Sequence, residues 1–263
     1  MWNPGVQLLE SRRVDLGRAG WELDLCSPFW RIYVNQRSGA YIDHEGKRSL
    51  IRKNELWIIP EWVRFQTGLT RPVVQDYLHF TFAGLPSFFL RQHFAHPSCL
   101  RSNETLRLLI TQWRQSIDLA GSPAHLCSAG ALAHAVMALM LANWEQAPAR
   151  RWLAQTTEIR AALDCLETAL SEPPNNERLG QLCGMSEDHF IRRFRQIMNV
   201  TPAEYGRRQR IAAAAGWLTA TNRTLEDIAE AAGFTDRFHF SRVFKQRLGL
   251  TPAAYRKIHR LEG

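Results

Sequence analysis

The pattern of apolar and polar positions along the chain changes near residue 100. Before that point, short aromatic and β-branched stretches with partial alternation are separated by glycine and proline. This pattern predicts short strands in a small sandwich or barrel. The predicted strands are WELDL at 21–25, FWRIYV at 29–34, ELWIIP at 55–60 and DYLHFTF at 76–82.

After residue 100 the apolar positions recur at helical spacing. A first helix face carries Leu106, Leu109, Ile110 and Trp113, and a second helix is predicted over 123–144. The apolar run at 129–142 contains a histidine and is too short to span a bilayer, so we expect a helix that is buried or faces a partner. EQAPARRWLAQ at 145–155 breaks the period and predicts a linker, with only helices after 156. The stripe of the second helix is Leu132, Val136, Leu139 and Met140.

Ten residues, TPAEYGRRQR at 201–210, recur as TPAAYRKIHR at 251–260. The repetition extends upstream, where nine of the seventeen positions 189–205 match the residue fifty positions later. A short helix ends at Gly184 in the first copy and at Gly233 in the second, and both glycines suit a left-handed cap. The N-cap candidates of the next helix are Ser186 and Thr235. Two helix-turn-helix modules are therefore predicted, at about 176–198 and 224–248.

The second helix of each module is predicted to have an apolar back and a basic front. Phe190 and Phe194 in one copy, and Phe240 and Phe244 in the other, fall on one helical stripe. Such a helix fits the major groove of DNA, where arginine pairs with guanine. For the two histidines, packing and DNA contact are both open, and the aspartate and isoleucine are weak base readers. The candidate DNA-contacting residues are Asp188, His189, Ile191, Arg192, Arg195, Arg237, His239, Ser241, Arg242 and Lys245.

The repeated Thr-Pro pair is predicted to begin the helix that follows each recognition helix. Thr201 is the expected N-cap, Pro202 lies at N1, and Glu204 at N3 completes a capping box. The first of these helices should continue to about residue 220, a rod of roughly 28 Å at about 1.5 Å per residue. That length can hold two recognition helices about one DNA turn apart.

Charge supports a nucleic-acid partner for the repeated region. The chain has a net charge of +8, and residues 189–260 carry 14 basic and 5 acidic side chains. Five scattered cysteines without a C-x-x-C pair indicate reduced thiols, and the N-terminal stretch lacks the apolar segment of a secretory signal. We therefore expect a cytoplasmic protein with no membrane association.

Two stretches of the repeat resemble the paired helix-turn-helix domain of AraC/XylS-type transcription regulators: GMSEDHFIRRFRQIMNVTPAEY at 184–205 and IAEAAGFTDRFHFSRVFKQRLGLTPAAYR at 228–256. The resemblance covers about 157–260 and implies that the two recognition helices occupy adjacent major grooves. WIIPEWVRF at 57–65, followed by DYLHFTF, resembles the cupin-like sensor domains that precede this domain. The resemblance implies a cupin-like β-barrel sensor at 1–100, a helical dimerisation segment at 101–146, a linker at 147–156 and an all-α tandem helix-turn-helix domain at 157–263.

A ligand pocket is expected in the barrel, because its strands are rich in aromatic residues with a few polar groups. The alternative is that the aromatic side chains merely fill the barrel. An arginine and two histidines among them indicate a polar or anionic effector. The candidate effector-binding residues are Arg31, Tyr33, His44, Trp57, Trp62 and His79.

Metal-binding cupin enzymes carry an H-x-H motif with a downstream Glu and a later His. GAYIDHEGK at 39–47 offers only His44, and Phe65 stands where the later histidine would be. We therefore expect no catalytic metal and no cofactor.

These observations predict a regulator that binds double-stranded DNA as a homodimer, responds to a small molecule and possesses no enzymatic activity, with RNA polymerase a further partner. One alternative keeps the DNA binding and makes the barrel only a dimerisation or interaction module. A cupin-type oxygenase or a DNA-repair alkyltransferase is disfavoured, because the H-x-H and Pro-Cys-His motifs are absent. The operator, the choice between activation and repression, and the use of 123–144 for dimerisation stay open.

Overall fold

A computed structural model describes residues 5–17, 21–83, 90, 93–142 and 154–259. The chain divides into two compact units, Met1–Asn143 and Trp144–Gly263. The first unit is mostly β and the second, within its described residues, is helical. The predicted fold class of a mainly-β domain followed by an all-α helix-turn-helix domain is therefore confirmed.

The first unit contains two antiparallel sheets among its described residues. One has the strand order β1-β8-β3-β6-β9 and the other the order β2-β7-β4-β5. The strands are β1 (Gly5–Leu16), β2 (Asp24–Leu25), β3 (Trp30–Asn35), β4 (Ala40–His44), β5 (Lys47–Ile51), β6 (Leu56–Ile59), β7 (Phe65–Leu69), β8 (Val73–Ala83) and β9 (Ser98–Leu100).

Strand β3 is buried on both faces and separates two environments. Its side chains alternate, so Trp30, Ile32 and Val34 join the hydrophobic core, while Arg31 and Tyr33 point to the opposite face. The core is completed by helices α1 (Glu104–Ser116) and α2 (Pro123–Ala142), which pack on that sheet. The polar face of β3 therefore lies away from the helices.

The sequence pattern did not predict strands β1, β4, β5, β7 and β9. Strand β1 pairs with β8 along its whole length, with a bulge between Leu8 and Glu10, although it is rich in charged residues. The β4–β5 hairpin turns at Glu45 and Gly46, both with positive φ. Of the predicted strand WELDL, only Asp24–Leu25 pairs with a neighbour. Strand pairing depends on the partner strand, and the local alternation of apolar and polar residues carries no information about that partner.

Helix α2 has twenty residues, more than the fourteen-residue apolar run that was judged too short to span a bilayer. Its most apolar window, with a mean hydropathy of 1.6, is long enough by length and composition alone to cross a membrane, and a third of that window is buried (33%). The buried residues Ala129, Leu132, Ala133 and Val136 pack in the core of the first unit. The predicted stripe differs slightly, because Leu139 and Met140 are only partly buried. Residues 143–144 of the predicted helix lie outside the described part.

The second unit is built from seven helices in its described part, and 154–157 form a further helical turn. Residues 147–153 of the predicted linker lie outside the described part, whereas 154–156 are helical. The helices are α3 (Arg160–Thr168), α4 (Asn176–Leu182), α5 (Glu187–Met198), α6 (Pro202–Ala220), α7 (Leu225–Ala231), α8 (Arg237–Leu248) and α9 (Pro252–His259).

Most of the turn chemistry expected from the repeat is present, with two corrections. Gly184 and Gly233 have φ of +66° and +68°, and Thr201 caps α6 by accepting from the Glu204 amide. The expected N-cap Thr235 is wrong, because Asp236 caps α8 by accepting from the amides of Phe238 and His239 at 2.7 Å. The expected capping box at Glu204 is also wrong, because its carboxylate binds arginine side chains instead.

Candidate DNA-contacting surface and effector site

Helix α5 presents one polar side outward along its length. Its apolar side, including Phe190 and Phe194, is fully buried in the second unit. The outward side forms an open groove of about 710 Å³. The groove is lined by Asp188, Ile191, Arg192, Arg195, Gln196 and Asn199.

The arginines of α5 divide into two kinds. Arg193 donates twice to Glu158, each time at 2.7 Å, so its guanidinium is held by a carboxylate of its own unit. Arg192 and Arg195 are exposed and form no ion pair with any described residue. Their charges are therefore available to an external anion. His189 is also exposed.

The first turn of α8 holds Arg237 in an internal ion pair. Arg237 donates to Glu226 at 2.6 Å, and its guanidinium lies 4.7 Å from the ring centroid of Phe238. Both charged side chains are about half exposed, so the pair stabilises little and can exchange for a phosphate or a base. Sequence alone did not show that Arg237 has a competing carboxylate.

His239 contacts two residues of its own module. Its Nδ1 lies 3.1 Å from the Thr235 hydroxyl, and its ring meets Phe234 edge-on with centroids 5.5 Å apart. Of the two possibilities left open for this histidine, the geometry favours packing. Ser241 is half-buried, whereas Arg242 and Lys245 are exposed and form no ion pair within the described residues.

Phe238 is a surface residue that the sequence reasoning missed. Its side chain is 71% exposed at the second position of α8, beside the candidate base-reading residues. A large apolar side chain so exposed is unusual on a helix whose other phenylalanines are buried. Its position off the helical stripe of Phe240 and Phe244 was the available signal.

Glu204 connects the long helix α6 to the second recognition helix. Its carboxylate accepts from Arg208 at 2.8 Å and from Arg247 of α8 at 2.6 Å, with Arg207 at 3.1 Å. Burial alone would raise the pKa of Glu204, but Arg208 and Arg247 bring it below its usual value. Arg210 in the next turn donates to the Gly233 carbonyl at 2.9 Å. These contacts attach the second module to α6.

In the first unit, three of the six candidate effector residues meet on the inner face of β3 and β8. Arg31 is buried and donates to the Tyr33 hydroxyl and to His79 Nε2, each at 3.2 Å, and also to the Ser27 hydroxyl. Its guanidinium lies 4.7 Å from the ring centroid of Phe29 and 5.8 Å from that of Phe65, which belongs to the second sheet. The described contacts of Arg31 include no carboxylate.

The protonation of His79 follows from its two partners. Arg31 can only donate, so His79 Nε2 accepts, and Nδ1 donates to Glu10 at 3.2 Å. Burial lowers the pKa of His79, and Arg31 lowers it further, to about 4, against the opposing effect of Glu10. Burial would raise the pKa of Glu10, but hydrogen bonds from His79 and Tyr77 bring it below its usual value. A neutral imidazole therefore separates the buried cation from the carboxylate.

The other three candidate residues lie on β6, in the turn after it and at the end of β4. Trp57 is opposite Tyr33 in the sheet and donates to Glu55 at 3.2 Å. Trp62 is half-buried in the turn after β6, with positive φ, and its amide donates to the Ser27 carbonyl. His44 lies at the end of β4 and pairs with His96, away from the contacts of Arg31.

Comparison with known proteins supports the assignment of the second unit. A family model described as a helix-turn-helix domain matches residues 179–258, from within α4 to the last turn of α9. Residues 179–258 therefore form a helix-turn-helix domain of the AraC type. This assignment confirms the family resemblance carried by the two repeated stretches. No curated protein sequence matches the chain significantly.

The two-domain architecture of this chain also occurs in solved structures. ToxT from Vibrio cholerae O395, bound to (E)-4-(8-methylnaphthalen-1-yl)but-3-enoic acid, is 8% identical, with a TM-score of 0.60 over 97% of this chain and 99% of that one. Unsaturated fatty acid bound ToxT from Vibrio cholerae strain SCE256 is 10% identical, with a TM-score of 0.52 over 97% and 94%. At this identity the likeness shows the fold alone.

A shorter similarity is to a transcriptional regulator with an AraC-type DNA-binding domain from Chromobacterium violaceum. It is 23% identical, with a TM-score of 0.40, over 42% of this chain and 99% of that chain.

Proposed function

We propose that the first unit of this AraC-type regulator senses a small molecule that carries a carboxylate or another anionic group. The observation that carries the proposal is Arg31, a buried guanidinium whose hydrogen-bond partners are neutral side chains. A buried cation is strongly favoured by a paired anion. Aromatic rings of Phe29, Phe65 and Tyr33 around it supply apolar contact for the rest of the ligand. The ligands of both ToxT structures are carboxylic acids by name.

The DNA contacts are proposed to come from the outward sides of α5 and α8. Arg192, Arg195, Arg242 and Lys245 are exposed cations that no described carboxylate neutralises, as direct base or phosphate contact requires. Phe238 is added to the candidates as a contact to a thymine methyl group. Arg237 would exchange Glu226 for DNA. His239 is proposed to position this helix rather than read a base, whereas Asp188, His189, Ile191 and Ser241 stay candidates.

The chain is proposed to act as a cytoplasmic homodimer next to RNA polymerase, with a cupin-like barrel as its sensor. The outward side of α2 supports the dimer, because Cys127, Ala131, His134 and Ala138 are all exposed on it and small side chains allow close helix approach. Ala131→Arg should give a monomer in sedimentation at unchanged thermal stability. A dimer that persists would place the interface elsewhere.

Operator selection from random DNA, at a stated salt concentration, tests the DNA-binding half of the proposal. Two conserved blocks about one helical turn apart are expected, because two modules read one face of the duplex. A single block would assign base reading to one module only.

The effector half is tested by titrating the selected operator complex with carboxylic acids of increasing chain length, and with the corresponding alcohols as matched controls. The acids are expected to change operator affinity and the alcohols are not. Arg31→Met, which keeps the volume and removes the charge, should abolish the response while the effector-free protein still binds the operator. An equal response to acid and alcohol would contradict an anionic effector.

A further inference from the structure

His44, Glu45 and His96 converge at one corner of the first unit. His44 is the last residue of β4, Glu45 begins the turn to β5, and His96 precedes β9. His44 Nε2 lies 3.0 Å from His96 Nδ1, and Glu45 Oε2 lies 3.9 Å and 3.8 Å from these two nitrogens. Three ligand atoms within 4.8 Å of one another can surround a single cation. This corner shares no residue with the Arg31 cluster.

The tautomer of His44 directs a lone pair into this corner. His44 Nδ1 lies 2.8 Å from the backbone carbonyl of Arg64, which can only accept, so Nδ1 carries the proton. Nε2 is then unprotonated in the neutral imidazole and faces His96. A backbone carbonyl behind the ring is the usual arrangement for a metal-ligating histidine, because it fixes both the tautomer and the ring orientation. The His44 side chain is only 15% exposed, so the ligand is already oriented.

The alternative is a hydrogen bond between two neutral imidazoles, with His96 as the donor. A tetrahedral zinc ion about 2.0–2.1 Å from each nitrogen would hold those nitrogens roughly 3.3 Å apart. That separation is within a few tenths of an ångström of the observed 3.0 Å. His96 and Glu45 are 64% and 72% exposed, so both can adjust without disturbing a packed core. The geometry therefore needs little movement to accept an ion.

We propose that His44, Glu45 and His96 form a surface site for a divalent transition-metal ion of the zinc class. Two imidazoles and one carboxylate suit Zn²⁺, Ni²⁺ or Cu²⁺ and disfavour the harder Mg²⁺ and Ca²⁺. Water completes the coordination. The ion would cross-link the β4–β5 hairpin to a segment 52 residues later and so stabilise the first unit by binding the folded state. The missing H-x-H motif predicted no metal site, but that motif cannot detect ligands 52 residues apart in the sequence.

The test uses the full-length protein without a polyhistidine tag and follows Co²⁺ binding by visible absorption, with Zn²⁺ as the competitor. One equivalent of Co²⁺ should bind with the intense bands of a low-coordinate site, Zn²⁺ should displace it, and Mg²⁺ should not. Thermal unfolding of the first unit should shift upward with Zn²⁺ and return after chelation.

Matched variants separate this site from adventitious binding. His96→Ala removes an exposed ligand and should abolish both the absorption and the thermal shift, while its unfolding without metal stays unchanged. Glu45→Gln should weaken binding and alter the spectrum. Glu22→Gln, at an exposed carboxylate of the first unit, should behave as the parent protein. Equal binding by His96→Ala and the parent protein, or no stoichiometric binding at all, would overturn the proposal and leave the pair as a hydrogen bond.

Discussion

Arg247 of the second recognition helix donates to Glu204 of the long helix α6 at 2.6 Å. The acceptor lies in the first turn of α6, and the donor lies 43 residues later in the last turn of α8. Two further arginines of α6 bind the same carboxylate. The residue after the repeated Thr-Pro-Ala therefore differs between the two copies for a structural reason. Glu204 attaches the second module to α6, whereas the equivalent Ala254 has no side chain that could make such a contact.

Glu204→Gln should loosen this attachment. A loss of about 2 kcal/mol is expected, because hydrogen bonds to a charged acceptor are replaced by weaker ones at a partly exposed site. Hydrogen exchange measured by mass spectrometry should accelerate in 237–248 and stay unchanged in 24–83. Arg207→Gln, which removes a more exposed partner of the same carboxylate, should have a smaller effect. Unchanged exchange in α8 would show that packing alone holds the module.

Phe244→Ala should unfold the second module. The Phe244 side chain is fully buried and meets Tyr255 edge-on with centroids 5.2 Å apart, as Phe194 meets Tyr205 in the first module at 5.8 Å. Truncation of a buried phenylalanine costs about 3–5 kcal/mol. Urea unfolding followed by circular dichroism should show the loss, together with loss of operator binding. Retained stability would mean that Phe244 is not part of the core.

Phe238→Ala is the matched surface variant on the same helix. Because Phe238 is largely exposed, unfolding should change by less than about 0.5 kcal/mol. Operator selection with this variant should lose preference at one position, a thymine in the block read by α8. An unchanged selected motif would exclude Phe238 as a base contact.

Arg242→Ala should relax sequence preference at one position of the operator. An exposed arginine in the middle of α8 that reads guanine contributes about 1–3 kcal/mol of discrimination. Affinities for the selected operator and for random DNA of equal length measure the effect, with Arg160→Ala on α3 as the control for a lost surface charge. Equal losses on both DNAs would make Arg242 a phosphate contact.

His79→Gln should reduce the acid sensitivity of the first unit. The folded pKa of His79 is about 4, below its ordinary value of 6.5, so the unfolded chain binds a proton that the folded chain excludes. The contribution of His79 to stability is present above pH 6.5 and is lost as the pH falls toward 4.

By pH 5 this loss amounts to about 2 kcal/mol. Thermal unfolding of the effector-free protein at pH 7 and pH 5 should show a smaller difference for His79→Gln than for the parent protein. An equal pH dependence of the parent protein and His79→Gln would show that other groups cause the acid sensitivity.

The effector and metal candidates were only partly predictable. Arg31 and Tyr33 were placed on one face by the alternation of a single strand, and that part needs no tertiary structure. Arg31 is linked to Glu10 through His79, and this link depends on strand β1 and on the bulge after Leu8. The many charged residues of β1 prevented its prediction as a strand. Likewise, His44 was grouped with the effector residues because its chemistry suits a ligand, whereas the fold pairs it with His96.

The sequence by itself determined the tandem helix-turn-helix modules, because helical periodicity, glycine caps and the Thr-Pro start are local features that repeat fifty residues apart. It also determined which phenylalanines are buried, since an amphipathic helix has one side for its core. Only the tertiary structure decided which charges remain available. Arg193 and Arg237 are held by Glu158 and Glu226, which lie 35 and 11 residues away, and Arg192 and Arg242 are not paired within the described residues. Charge pairing depends on distance in space, and neighbouring positions of one helix face therefore carry different roles.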